Sequence, residues 1–186
     1  LRFLIRLVPI EPTREVFLGS IRALARTVGA EARNPKWTSY GALEIDIFCP
    51  SRADLEMFIA ATEPLARLEF LTDLNRAPKH LTDDEVFSRA RILFNSERYW
   101  ECHEVLEGLW RQKQGEEKSL LQGIILICAG FVHHQKGEEG VALSVLNRGA
   151  KQLDVSRVEY GGFDITSMKK QVQLMLALKR FTNFRV

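Results

Sequence analysis

Between Arg2 and Ile10 the side chains alternate, with Phe3, Ile5 and Leu7 on one side and Leu4, Arg6 and Val8 on the other, which is the period of a β-strand. The spacing then lengthens. Val16, Phe17, Ile21, Leu24, Ala25 and Val28 recur at helical intervals, Pro12 suits a first turn and Gly29 an end, so a helix is predicted over 12–28. In "WTSYGALEIDIFCP" Leu43, Ile45 and Ile47 alternate with Glu44, Asp46 and Phe48, a strand with one buried face. Asn34-Pro35 and Gly41 act as breaks, which gives two short strands around a turn. Ser51 and Asp54 form a capping box that opens a helix to about Thr62, with Pro64 supporting its stop. "LARLEFLTDL" alternates once more. The order β, α, β, β, α, β over residues 1–74 is that of a ferredoxin-like split arrangement.

Beyond a linker over 75–81 the two-residue period disappears. Thr82 and Glu85 form a second capping box, and helical spacing predicts helices over 82–95, 99–112, 117–135, 139–153 and 166–182, with breaks at Gly115, Gly137 and Gly161-Gly162. Short connections favour antiparallel neighbours, hence an all-α helical bundle over 82–186. The chain is therefore read as α+β in two parts.

Composition narrows the classes. With 186 residues, 46% of them apolar, there is enough material for a packed core, and a net charge of +2 with both signs interleaved leaves no footprint for nucleic acid or an anionic membrane. RNA binding by the sheet would rest on Arg2, Arg6, Arg33 and Lys36, but the aromatic pattern of RNA-binding sheets is missing. Cys49, Cys102 and Cys128 are odd in number and far apart, which suggests neither a disulfide framework nor a zinc ribbon and fits a reducing cytoplasm. "LRFLIRLVPI" is too short to span a membrane and carries arginines. The chain opens on Leu1 rather than Met, which leaves residues upstream an open question.

Chemistry concentrates in "NSERYWECHEVLEGLWRQ", residues 95–112. On a helical wheel Cys102, Val105, Leu106 and Leu109 cluster with Tyr99 and Trp110 on one apolar face, while Glu101, Glu104 and Gly108 point away. His103 and Glu107 stand four apart at the edge of that face, where they could hold one metal ion or one could fix the tautomer of the other. In "LLQGIILICAGFVHHQ", apolar nearly all round, Gln122 and His133 share a stripe with Leu126 and Ala129. A buried polar group left without a partner costs about 1–3 kcal/mol, so this stripe is expected opposite His103 and Glu107. Gly123 and Gly130 would let a neighbouring helix approach closely. Blander readings stand beside these. Tyr99, Trp100 and Trp110 serve as core or interface anchors, His103 with Glu107 as a buried packing pair, His133 as a structural residue and His134 as a helix-end residue. Glu104 is a solvated charge, or a general base if something covers it, and Cys102 is a packed thiol. A zinc-protease HExxH is not present, because His103-Glu104-Val105-Leu106-Glu107 lacks the second histidine.

The runs "FNSERYWECHEVLEGLWR" and "LLQGIILICAGFVHHQKGEEGVALSVLNRGAKQL" resemble a widespread prokaryotic family classed as a domain of unknown function, family number 309, over about 83–153. The resemblance implies an all-helical region with polar motif positions at Glu101, His103, Glu104, Glu107, Gln122 and His133. No activity is established for such proteins; the label they carry is metal-dependent hydrolase.

Two functions are expected from this. In the first, a divalent zinc, manganese or iron ion is held by His103 and Glu107, with His133 or Glu104 completing the set. A spare carboxylate acts as base, and the catalytic group is Glu104, His103 and Glu107, on a substrate the sequence does not identify. In the second, the bundle is a non-enzymatic ligand-binding or protein-interaction module. His103, Glu107, Gln122 and His133 then form a buried network, and Tyr99, Trp100 and Trp110 line a pocket or interface. A homo-oligomer is compatible with either, and the N-terminal part would be a docking or dimerisation module.

Overall fold

The first alternating segment becomes strand β1 (Arg2–Pro9) of a four-stranded sheet, in a computed structural model that describes residues 1–10, 13–75, 81–153 and 157–186. The chain divides into two compact units, Leu1–Lys79 and His80–Val186. In the first, β1 is followed by α1 (Arg14–Thr27), β2 (Glu31–Trp37), β3 (Leu43–Phe48), α2 (Arg52–Thr62) and β4 (Ala66–Asp73). The strand order is β2-β3-β1-β4 and every neighbouring pair is antiparallel. β1 and β2, joined through α1, are thus parallel with β3 between them, and β3 and β4, joined through α2, likewise enclose β1. Helices make these crossings because parallel strands cannot be joined by a tight turn.

Phe3, Ile5, Leu7, Leu43, Ile45 and Ile47 form one face of the sheet and are fully buried with Phe17, Ile21, Ala25, Leu55 and Phe58 from the two helices. The opposite face departs from the simple polar-out reading. Arg6, Lys36, Glu44 and Asp46 are all buried there. Glu44 meets Arg6 at 2.9 Å and Lys36 at 2.6 Å, and Asp46 meets Arg2 at 2.7 Å and Asn34 Nδ2 at 2.9 Å. Burial disfavours the Arg6 charge, but Glu44 and Tyr40 outweigh it and raise the guanidinium pKa. The cations on which an RNA-binding sheet would have rested are therefore bound to carboxylates, since Arg33 is in turn paired with Glu31.

Asn34-Pro35 does not end a strand. The pair forms a bulge inside β2, where the register on β3 skips from Arg33 to Lys36 and Asn34 takes φ +53°. β2 lies at the sheet edge, where a residue without an N–H is tolerated. Gly41, at φ +87°, sits in the turn between β2 and β3 as expected. Pro12 lies outside the described residues, as do residues 76–80 of the expected linker; α1 starts at Arg14.

The second unit contains α3 (Asp83–Asn95), α4 (Tyr99–Trp110), α5 (Gly115–Gln135), α6 (Glu139–Gln152), β5 (Glu159–Tyr160), β6 (Phe163–Asp164) and α7 (Ile165–Leu178). The small β5–β6 hairpin is new relative to the sequence reading. Its strands have two residues each, too short to show a period, and Gly161-Gly162 turn between them at φ +58° and +79°. A Cβ at Gly161 would lie 2.2 Å from the Phe87 ring. The core joins Phe94, Tyr99, Leu106, Leu121, Ile124, Cys128, Phe131 and Leu146. Gly123 and Gly130 do admit a neighbour, and it is α6. A Cβ on Gly123 would fall 2.6 Å from Leu153, one on Gly130 2.8 Å from Leu146, and one on Gly149 of α6 3.1 Å from the Gly123 carbonyl oxygen. No helix among the described residues is long and apolar enough to cross a membrane.

Both capping boxes are formed. At the start of α3 the Thr82 backbone N–H donates to Glu85 at 2.8 Å, and the Glu85 N–H returns a bond to Thr82 Oγ1 at 3.4 Å. Thr82→Ala is expected to cost about 1 kcal/mol in thermal or chemical denaturation. The backbone and hydroxyl bonds from Thr82 hold the Glu85 carboxyl below its ordinary 4.5. Because the folded value is the lower one, this contribution is complete above pH 4.5 and is lost as pH falls through the folded pKa. Melting curves of the wild type and Glu85→Ala should therefore draw together below that window.

Candidate metal centre

Helix α4 begins without a side-chain N-cap, and its first turn is organised by an ion pair. Arg98 Nε and Nη2 each donate to Glu101 at 2.6 Å. Glu101, outward on the helical wheel, is buried instead, because a partner three residues away neutralises it and lets it fold against the unit.

Burial along α4 then separates three stripes. Tyr99, Cys102, Leu106 and Leu109 are buried, Trp100, His103, Glu107 and Trp110 are half-buried, and Glu104 and Gly108 are exposed. On α5 the half-buried stripe is Gln122, Leu126, Ala129 and His133, the set picked out by periodicity. The two helices pack together, and at one end Lys118 Nζ of α5 stands 4.4 Å from the centre of the Trp110 ring.

His103, Glu104 and Glu107 converge. Each offers one ligand atom, and these atoms lie within 4.8 Å of one another. His103 Nδ1 is 3.6 Å from Glu104 Oε1, too long for a hydrogen bond, and it is buried without a hydrogen-bond partner among the described residues. The imidazole is held flat against Trp100, with the rings 5.7 Å apart and 8° from parallel. Arg111 reaches Glu107 at 3.2 Å. One turn of helix thus presents an imidazole and two carboxylates to one point, with Glu104 half exposed to solvent.

The donor set fits a small divalent ion. Nitrogen and carboxylate oxygens bind zinc at about 2.0–2.2 Å, which modest side-chain rotations would reach from the observed spread. An ion held by these three residues alone would keep coordination positions for other ligands.

Other expected site residues lie elsewhere. His133 is not part of the convergent group; its Nδ1 meets Glu138, whose carboxyl is held low by that bond. Its place at the end of α5, five residues before Glu138, explains why a local acid reaches it first. His134 likewise meets Glu139 at 2.7 Å and stacks on Phe181 at 4.0 Å. Tyr99 is a core residue, stacked on Phe131 at 4.5 Å. Trp110 is half-buried, and its Nε1 is buried without a hydrogen-bond partner among the described residues. Cys102 is fully buried, with Sγ 3.3 Å from the Ala90 carbonyl oxygen and 3.4 Å from Cys128 Sγ, so it faces the core and not the carboxylates. Periodicity did not single out Lys118 or the Arg98–Glu101 pair. The three-residue spacing of the latter was the available signal.

Comparison with known proteins agrees with the motif. Residues 87–145 match the family described as "Domain of unknown function (DUF309)", a segment that runs from α3 through α4 and α5 into α6. Among solved structures, a conserved hypothetical protein from Thermus thermophilus is 31% identical, with 49% of this chain and 95% of that chain covered and a TM-score of 0.44. No curated protein matches.

Proposed function

We propose that the helical unit binds one divalent metal ion, zinc, manganese or iron, through His103, Glu104 and Glu107, and that the protein is a metal-dependent hydrolase of a small molecule. The observation that carries this reading is the convergence of those three side chains on one helical turn. A divalent ion bound there supplies a Lewis acid for a substrate oxygen and lowers the pKa of a coordinated water. The chain's own residues have separate tasks. Trp100 fixes the plane of the His103 ring. Arg111 restrains Glu107, and Glu104, the most exposed of the three, is the carboxylate free to exchange between ligand and general base. The alternative, a purely structural polar network, would give His103 Nδ1 a protein partner, and among the described residues it has none. The strand order supports reading the N-terminal unit as ferredoxin-like, with a docking or dimerisation role, and three free buried cysteines fit a reducing cytoplasm.

The test is metal content by mass spectrometry on protein purified without chelator and then offered zinc, manganese or iron. Near-stoichiometric metal is expected for the wild type, with affinity reduced about 10–100-fold or more in Glu107→Gln and His103→Gln. Equal occupancy in wild type and both variants, or none in any, would overturn the assignment. Circular dichroism of the variants separates loss of the site from loss of the fold.

A further inference from the structure

Helices α4 and α5 run antiparallel. Tyr99 stacks on Phe131, Cys102 Sγ lies 3.4 Å from Cys128 Sγ, and Lys118 Nζ sits 4.4 Å from the centre of the Trp110 ring. This register puts Gln122, one turn beyond Lys118, level with Glu107, three residues before Trp110. Lys118 and Gln122 head the half-buried stripe of α5 that continues through Leu126, Ala129 and His133, and the half-buried stripe of α4 meets it at Trp110. The two stripes are the walls of one groove, and His103 and Glu107 lie along it.

The polar groups of the α5 wall are not engaged by the protein. Lys118 forms no ion pair among the described residues, and the Gln122 amide has no hydrogen-bond partner among them. The carboxylates that precede Lys118 in sequence are taken, since Arg157 stands 3.4 Å from Glu116 and 3.9 Å from Glu117. An aromatic face therefore holds the ammonium where a carboxylate would have neutralised it. Nε1 of that same indole is buried without a hydrogen-bond partner among the described residues, so the groove's end at Trp110 is rich in donors. On the α4 wall Arg111 meets Glu107 at 3.2 Å. A divalent ion on Glu104 and Glu107 would offset both carboxylates, and Arg111 and Lys118 would then leave the groove positive.

We propose that this groove receives the substrate of the metal centre, and that the substrate is a small molecule carrying an anionic oxygen group, carboxylate or phosphate, held by Gln122 beside Glu107 and by Lys118 one turn further along. The inference rests on the hydrolase reading, because it is the ion that cancels the charge of Glu104 and Glu107. Lys118 attracts the group as a compact charge, and the Gln122 amide donates to one of its oxygens. A charge-assisted bond of this kind is about twice as strong as a neutral one, so Lys118 makes the larger contribution. A cationic ligand would instead meet Lys118 and Arg111 with the acids already spent on the ion.

Cobalt(II), whose visible absorption responds to its ligands where zinc is silent, tests this on the full chain. Titration of the cobalt-loaded protein with acetate, inorganic phosphate and neutral acetamide should give a saturable spectral change with an anion and none with acetamide. The anion that binds more tightly names the group. In Lys118→Met, which keeps the stem on Trp110, the anion affinity should fall about tenfold or more, and in Gln122→Leu by a smaller factor, with cobalt stoichiometry as in the wild type. The proposal is overturned, while the metal reading stands, if cobalt binds and no anion changes its spectrum, or if both variants bind anions as the wild type does. Loss of cobalt from Lys118→Met or Gln122→Leu also overturns it, because the residue would then serve the metal site itself. Failure of the wild type to bind cobalt removes both readings together. Both substituted side chains are half-buried and outside the core, so the variants should melt like the wild type.

Discussion

Glu44→Ala is expected to destabilise the N-terminal unit by about 3–5 kcal/mol, the range for removing one partner of a buried ion pair. Glu44 is 1% exposed and is the carboxylate shared by Arg6 and Lys36, themselves 2% and 3% exposed. Its loss would leave two cations in a place where water cannot solvate them. Tyr40 accepts a hydrogen bond from Arg6 at 3.0 Å but carries no compensating charge at neutral pH, and burial, together with Glu69, pushes its phenol pKa up. The stacking of Arg6 over Phe70 at 4.9 Å also remains, yet a ring quadrupole offsets only part of a full charge. Denaturant unfolding followed by circular dichroism measures the effect. Replacing all three charges by apolar residues of similar volume should recover most of the loss, because the cluster as a whole returns little beyond its own desolvation. A loss below about 1 kcal/mol in Glu44→Ala would mean that water reaches the cluster.

In the helical unit the largest expected effect is from Phe131→Ala, about 3–5 kcal/mol. Phe131 is fully buried at the centre of an aromatic cluster, stacked on Tyr99 and within 6 Å of the rings of Phe94, Phe181 and Phe184. These rings come from α3, α4, α5 and the segment after α7. Collapse into the space is limited because each neighbour is held elsewhere: the end of the chain, for example, exchanges two hydrogen bonds with Asn95, at 2.9 and 3.0 Å. Urea unfolding should show a lower midpoint with an unchanged slope. Hydrogen exchange should accelerate in the first turn of α4, where Tyr99 loses its stacking partner. A loss of less than about 1.5 kcal/mol would indicate that the cluster repacks.

The candidate centre was legible to different degrees. His103 and Glu107 were visible because residues four apart share a helix face whatever the helix packs against. Glu104 was named as one of two residues that could complete the set although the wheel pointed it outward, since its side-chain rotamer decides whether it swings toward position 103. Glu101 was misplaced because the wheel set it by phase alone, away from the Cys102–Leu106 face, and does not register that Arg98 neutralises it and lets it be buried. His133 shares the stripe that periodicity assigned to it, yet its ring meets Glu138 and not the carboxylates of α4. The wheel fixes the direction of a residue from the axis but says nothing of which acid lies nearest.

The sequence by itself determined the element order of the N-terminal unit, the helices of the second unit, the two capping boxes and the apolar faces, because hydrophobic period and turn chemistry act over neighbours along the chain. It also determined the close approach allowed at Gly123 and Gly130. Only the tertiary structure decided that α6 is the helix that approaches, that Asn34-Pro35 is a bulge within a strand and that the charged face of the sheet is buried around Glu44. Each of these depends on contacts between segments distant in sequence, where the partner of a side chain is set by packing and by the desolvation of charge, and no local pattern carries that information.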